Sequence, residues 1–381
     1  MTTPTALTDT DLQRLAATSL RVILAQQQPG GAYPASPEFS AYVGYSWFRD
    51  GSFIADAASA AGATLSADGF HDWCAGIIRD RADRIVDIVA RSTGADPVTD
   101  DDMLATRFTF DGREGADEWW DFQLDGYGTW LWALGAHIAR HGSDPARWAD
   151  AVELCTAYTA SSWRRPCFDW WEEHREQVHV STLGCIAAGL RAAVDTGILS
   201  PDTAASAVRA DAEISEILAH EAIRDGHLSK WIGSSAVDGS LSALVGVLGV
   251  VDAGSPVGAA TIAAVEHDLV RDGGTFRYLG DTFFGGGQWP LLSCMLGQAH
   301  LAAGDHTRAR ELLEWAASTA DDDGMLPEQV DRHLNDPAFV QRWVDRWGPV
   351  ARPLVWSHAM FLRLALDLGV VTPAGLAEVT R

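Results

Sequence analysis

Along the chain, apolar residues recur at three- and four-residue spacing, and Gly-, Asp- and Pro-rich breaks separate the periodic stretches. Almost nothing alternates with the two-residue period of a strand, so the pattern predicts an all-α protein. Thr8 or Asp9 can cap a first helix that carries Leu12, Leu15, Leu20, Val22 and Leu24 to about Gln27. Asp50 or Ser52 can open an Ala-rich helix through Ala61. Further helices are expected at roughly 69–92, 126–141, 145–162, 178–195, 201–221, 238–252, 256–270, 288–303, 306–320 and 355–369, which makes about twelve in all. Several, such as 126–141 and 238–252, are apolar on nearly every side and belong in a layer packed on both faces. About twelve helices without a sheet fit an inner and an outer ring of paired helices, an (α/α)6 barrel. A helical solenoid would repeat with a fixed sequence period, and none is visible.

Composition narrows the picture. Of 381 residues 47% are hydrophobic, with no run long enough to cross a bilayer and no Pro/Ser-rich linker, so one soluble domain over 1–381 is expected. A net charge of -24 argues against a phosphate-tracking surface, and neither nucleic acid nor a membrane is an expected partner. A neutral small substrate suits such a chain better. The acidic runs Thr99–Asp102 and Asp321–Asp323 read as solvated loops, since no His/Asp ligand spacing accompanies them; neither a metal nor a cofactor is expected. Cys74, Cys155, Cys167, Cys185 and Cys294 are scattered and form no CxxC pair, which reads as reduced thiols. Met1–Leu12 has neither a basic start nor an apolar stretch, so a cytoplasmic location is expected.

The 16 tryptophans gather in loops, and they gather with charge. Tyr45–Asp50 contains Trp47, Arg49 and Asp50; Glu118–Asp125 contains Trp119 and Trp120; Phe168–Glu173 contains Asp169, Trp170, Trp171, Glu172 and Glu173. Later come Lys230–Trp231, the stretch Arg277–Trp289 with Asp281 and Phe283, Leu326–Gln329 with Glu328, and Leu354–His358 with Trp356. Each lies just before an even-numbered helix of the series above. If the even helices form the inner ring, these loops meet around one pocket at one end of the barrel. Indole faces beside carboxylates, Arg and Gln suit a sugar, whose CH faces pack on rings while its hydroxyls need polar partners. Core packing could account for any one tryptophan, but it gives no reason for carboxylates to accompany the rings.

Taken in order, these loops resemble glycoside hydrolase family 15, the glucoamylase family, from about Tyr45 to His358. Trp171-Glu172-Glu173, preceded by Asp169, is similar to the family's motif around the general acid, with Trp170 where fungal members usually carry Leu. Gly324-Met325-Leu326-Pro327-Glu328-Gln329 is similar to the motif around the general base. The resemblance implies an (α/α)6 barrel, Glu172 as acid and Glu328 as base. It also implies Arg49 and Asp50 as ligands of the terminal glucose, Arg277 and Asp281 lining that subsite, and Trp47, Trp119, Trp289 and Trp356 walling it. Phe283 stands where Tyr is common, which removes a hydroxyl and leaves Tyr45 less constrained near the attacking water; Tyr42 takes that place if the loop aligns differently. The N-terminal β-sandwich of bacterial members and the starch-binding module of many fungal ones are missing. The likeness is therefore to cytosolic actinobacterial members that hydrolyse isomaltose.

Such a pair of carboxylates implies inversion: one protonates the leaving oxygen while the other, about 6.5–9.5 Å away, activates water on the opposite face. Trp171 and the charge of Glu173 should keep Glu172 protonated, and hydrogen bonds from Gln329 or Tyr45 should keep Glu328 ionised. Trp170 is expected as a rigid wall where the leaving sugar sits, favouring a flexible α-1,6 link. The expected product is β-glucose from the non-reducing end of a short α-glucoside such as isomaltose. An α-1,4-specific glucoamylase, a trehalase, a disaccharide phosphorylase on the same barrel and a non-catalytic sugar-binding protein are the alternatives.

Overall fold

The computed structural model describes residues 7–92, 97–119 and 121–379. Among them run fourteen α-helices: α1 (Asp9–Gln26), α2 (Phe48–Ala60), α3 (Thr64–Asp80), α4 (Ala82–Ser92), α5 (Asp125–His141), α6 (Ala149–Ser162), α7 (Val180–Asp195), α8 (Pro201–His220), α9 (Leu241–Val245), α10 (Pro256–Leu269), α11 (Pro290–Ala302), α12 (His306–Ala317), α13 (Val340–Trp347) and α14 (Val355–Asp367). Their starts follow local chemistry. Thr8 and Asp11 form a capping box on α1, and Ser200 and Ser255 cap α8 and α10 with proline in the first turn.

Packing closes six helices into a ring in the order α2, α5, α7, α9, α11, α14 and back to α2. Around it α1 packs on α14, α3 on α2, α6 on α5 and α7, α8 on α7, α10 on α9, and α12 on α11. This is the expected (α/α)6 barrel. Inner helices touch neighbours on every side, so α2, α7, α11 and α14 are buried along most of their length. The α5–α7 contact is the tightest: a Cβ on Gly128 would lie 2.5 Å from the Cys185 carbonyl oxygen, and one on Gly189 would lie 2.3 Å from that of Gly128. Two-stranded antiparallel pairs decorate the connections, among them β1 (Tyr45–Trp47) with β2 (Arg107–Thr109). No helix of the described residues is long and apolar enough to cross a membrane.

Three expected helices differ. The 69–92 helix is two, α3 and α4, because Arg81 leaves helical geometry at φ -111° and ψ 17°. The apolar run 238–252 is helical only over Leu241–Val245. Gly246 passes so close to α11 that a Cβ would lie 2.7 Å from the Ala299 nitrogen, and Gly249 turns at φ 58°. The second helix opens at Phe48 with Trp47 at the cap, ahead of Asp50 and Ser52, because β1 delivers the chain directly into the first turn.

Candidate active site

The loops that enter α2, α5, α7, α11 and α14 surround one pocket, whereas the loop before α9, with Lys230 and Trp231, contributes no residue to its lining. Its lining includes Tyr42, Trp47, Arg49, Asp50, Trp119, Trp170, Trp171, Glu172, Glu173, Arg277, Phe283, Trp289, Glu328 and Trp356. Of its four carboxylates, Asp50, Glu172, Glu173 and Glu328, the second and the last have contrasting surroundings.

Glu172 sits in the left-handed region at φ 65°, in the turn before α7. Its Oε1 accepts hydrogen bonds from Trp47 Nε1 at 2.8 Å, Trp119 Nε1 at 3.1 Å and Gln123 Nε2 at 3.2 Å. Three donors on one oxygen leave a proton only Oε2, which has no partner among the described residues. Burial raises the pKa of Glu172, while Arg49 and the three N–H donors pull it down. The expected contributions of Trp171 and Glu173 are replaced by burial. Trp171 turns its indole N–H to Asp238, and Glu173 is engaged by the Tyr278 hydroxyl with Arg277 at 3.7 Å.

Glu328 is 1% exposed, and burial pushes its pKa up to about 8 against the opposing Tyr42 hydrogen bond and Arg277 charge. Tyr42 Oη donates to Oε1 at 2.8 Å, and Oε2 is buried without a partner. The tyrosine beside Glu328 is thus Tyr42, not Tyr45. Tyr45 lies in β1, where its ring covers the Arg107 guanidinium at 3.8 Å and its hydroxyl donates to Asp117 at 2.6 Å. Gln329 does not reach Glu328 either; its Oε1 accepts from the Gly287 nitrogen.

Arg49 and Asp50 enter the pocket from the first turn of α2. Arg49 is held by Gln123 at 2.7 Å and Asp125 at 3.1 Å, and its Nε lies 3.3 Å from Asp50. Burial raises Asp50 to about 6, with Arg49 opposing. Arg277 is 3% exposed and lies 5.1 to 5.4 Å from the rings of Trp171, Phe283 and Trp289.

Two predicted ligands stand behind the pocket instead of in it. Asp281 has both oxygens on Arg277 and one on the Phe283 nitrogen, so it orients the arginine. Asp169 is buried against Lys230 and the backbone of its own loop. Trp170, in the turn before α7, lines the pocket at 2% exposure among Phe53, Trp171 and Trp356. Phe283 packs on Trp343 and Trp289, away from β1, so its missing hydroxyl bears on that wall and not on Tyr45. Trp120 lies outside the described residues.

The outer wall was missed. Trp343 and Trp347 of α13 line the pocket, with Trp347 stacked on Trp119 at 6.2 Å and 26°. Two tryptophans four residues apart share one helix face, and that spacing was the available signal. Ala35 carried none, while Gln123 and Leu354 lie in the loops Glu118–Asp125 and Leu354–His358 already singled out.

A helical barrel whose rim gathers carboxylates, arginines and indoles around one pocket defines a carbohydrate-active hydrolase. The chain belongs to the glycosyl hydrolases family 15, whose model matches residues 11–366. It is a glycoside hydrolase. An isomaltose glucohydrolase of Kribbella flavida is 50% identical over 364 residues, 95% of this chain and 94% of its own. A solved glycosidase structure with 49% identity superposes with a TM-score of 0.93 over 95% of this chain and 98% of its own. Related solved forms carry substitutions of two glutamates, a tyrosine and a phenylalanine, and one of the glutamate forms is in complex with glucose. A glucoamylase from Saccharomycopsis fibuligera shares the fold, with 14% identity and a TM-score of 0.69 over 97% of each chain.

Proposed function

We propose that this chain cuts isomaltose by single displacement, with Glu172 as general acid and Glu328 as general base. The observation that carries this reading is the contrast between Glu172 and Glu328 in one pocket. Glu172 keeps Oε2 for a proton because three N–H donors occupy Oε1. Glu328 has one oxygen on Tyr42 and one buried and unpartnered, free to accept a proton from water. In the reaction, water loses its proton to Glu328 and bonds to C1 as the glycosidic bond breaks and the leaving oxygen takes the Glu172 proton. Arg49 and Asp50 hold the terminal glucose, and the indoles of Trp47, Trp289 and Trp356 cover its CH faces.

The substrate is inferred from the isomaltose glucohydrolase that shares half of this sequence. The residue types substituted in the solved relatives, two Glu, one Tyr and one Phe, are those of Glu172, Glu328, Tyr42 and Phe283. A cytoplasmic location fits five buried, unpaired cysteines. Proton NMR during the first minutes of isomaltose hydrolysis tests the mechanism: the β-anomer of glucose appears first, and an initial α signal would sink the assignment. Parallel kcat/KM values for isomaltose, maltose, trehalose and maltotriose test the linkage. A higher value for maltose or maltotriose than for isomaltose overturns it.

A further inference from the structure

The turn that carries Glu172 is tied together by its neighbours' atoms. Glu172 N donates to the Asp169 carbonyl at 2.9 Å and Asp169 N to the Glu173 carbonyl at 3.1 Å. Asp169 Oδ1 accepts from both Trp171 N and Glu173 N at 2.9 Å. The remaining oxygen of Asp169 lies 3.1 Å from Lys230 Nζ. Nζ also donates to Asp238 Oδ2 at 2.5 Å, and Asp238 in turn accepts from Trp171 Nε1 at 3.0 Å and from Ser240 N at 2.9 Å. Nζ sits 3.7 Å from the centre of the Tyr278 ring, whose hydroxyl donates to Glu173. The backbone of Lys230 is itself anchored, its carbonyl accepting from Val180 N at the start of α7 at 3.2 Å. Lys230, Asp169 and Asp238 are each 2 to 3% exposed, and none of them lines the pocket.

We propose that Lys230 is a positioning residue for the general acid: through Asp169 and Asp238 it grips both sides of the turn and keeps Glu172 aimed at the glycosidic oxygen. The inference rests on the reading of Glu172 as the acid. Buried ion groups are poor sources of stability, because desolvation offsets their attraction and an apolar set of similar volume serves as well. Geometry is the better account of this one. Glu172 occupies a backbone region that a residue with a Cβ avoids, and it stays there only while its surroundings over-determine it. Without the lysine, Asp169 and Asp238 become bare buried carboxylates that must turn toward water or take up protons. Either response loosens the bonds to Trp171 N, Glu173 N and Trp171 Nε1.

The test uses a substrate that does not need the acid. In α-glucosyl fluoride the C1–F bond breaks to release fluoride without a proton from Glu172, while the attacking water still loses its proton to Glu328. Lys230→Met is expected to lower kcat on isomaltose about tenfold or more, with KM within about threefold and kcat on the fluoride within about threefold. Asp238→Asn, which leaves Lys230 paired with Asp169, gives the same selective loss at smaller amplitude and decides the matter where Lys230→Met does not fold. Equal losses on both substrates, or no loss on isomaltose, overturn the proposal. Glu172→Gln measured alongside separates the two readings. Selective loss there with none in the Lys230 and Asp238 variants removes the role of Lys230 alone, and no selective loss in Glu172→Gln removes the assignment of the acid itself.

Discussion

Tyr42 and Glu328 are 286 residues apart in the chain, yet the tyrosine hydroxyl donates to Glu328 Oε1 at 2.8 Å. Burial and the Glu328 carboxylate push the Tyr42 pKa well up, so the phenol remains a donor across the working range. Its hydrogen bond favours the ionised form of Glu328 and partly offsets burial, which still leaves the pKa raised to about 8, so the expected hydrogen bonding does not by itself keep this carboxyl ionised at neutral pH.

Tyr42→Phe removes that support. The base proposed here works ionised, so activity is expected to fall as pH drops through the Glu328 pKa, which lies at about 8 with Tyr42 in place. Without Tyr42 the pKa rises, the acidic limb of kcat/KM moves to higher pH, and the value near pH 6 falls roughly tenfold, the scale of one hydrogen bond to a charged group. Tyr45→Phe keeps the ring over Arg107 and stays within about twofold of the parent enzyme. A pH–rate profile of both variants checks this, and an unmoved limb in Tyr42→Phe refutes it.

Glu328→Gln separates catalysis from stability. A carboxyl whose folded pKa is raised from 4.5 to about 8 contributes stability at low pH that is lost as pH rises through that window. Glutamine does not ionise. The variant therefore loses on the order of 10²-fold in kcat but melts a few degrees higher than the parent near pH 9, with the gap closing near pH 5. Melting curves at the two pH values decide, and a lower melting temperature near pH 9 contradicts the burial argument.

Trp119→Phe takes away one of the N–H donors on Glu172 Oε1. These donors lower the Glu172 pKa, so their loss raises it. The acid works protonated, and the alkaline limb of kcat on isomaltose moves to higher pH. Loss of the indole also weakens its stack with Trp347, so KM rises several-fold, at about 0.5–1.5 kcal/mol for an aromatic pair. A limb that moves to lower pH would show that Trp119 does not act on the acid.

His358 links the base loop to α1. Its Nε2 accepts from Leu326 N at 3.0 Å and its Nδ1 meets Ser19 Oγ at 2.9 Å, an arrangement that needs the neutral ring. Burial holds its pKa down at about 3, so the unfolded chain binds the proton first and stability is lost as pH falls below about 6.5. His358→Phe leaves Leu326 N unsatisfied and costs about 1–3 kcal/mol at neutral pH. Its stability then declines less between pH 7 and 4.5 than that of the parent. Buried His71, His137 and His179, also shifted downward, retain part of the slope. Denaturant titrations at both pH values test this, and parallel slopes would reject it.

Helix positions were legible in the sequence because amphipathic spacing and capping are local. Inner helices announced themselves by being apolar on every side. Glu172, Arg49 and Asp50 could be singled out because a charge among tryptophans has no reason to be in a core, whereas Glu328, in a loop without tryptophan, was reached through the resemblance of Gly324–Gln329 to a known motif. The break at Arg81 and the loss of helix after Val245 were not visible. The second comes from a neighbour, the close pass of Gly246 by α11.

The sequence by itself determined the barrel and the order of its rings, since both depend on periodicity and on where the polar loops fall. Tertiary structure alone decided which tyrosine meets Glu328. Tyr42 and Tyr45 are three residues apart, and the pairing of β1 with β2 and the pull of Arg107 and Asp117 turn Tyr45 away. The same holds for Asp169 and Asp281, whose charges are claimed by Lys230 and Arg277 before a sugar could reach them. A buried carboxylate takes the nearest cation, and which cation is nearest is set by how distant loops converge on the barrel rim.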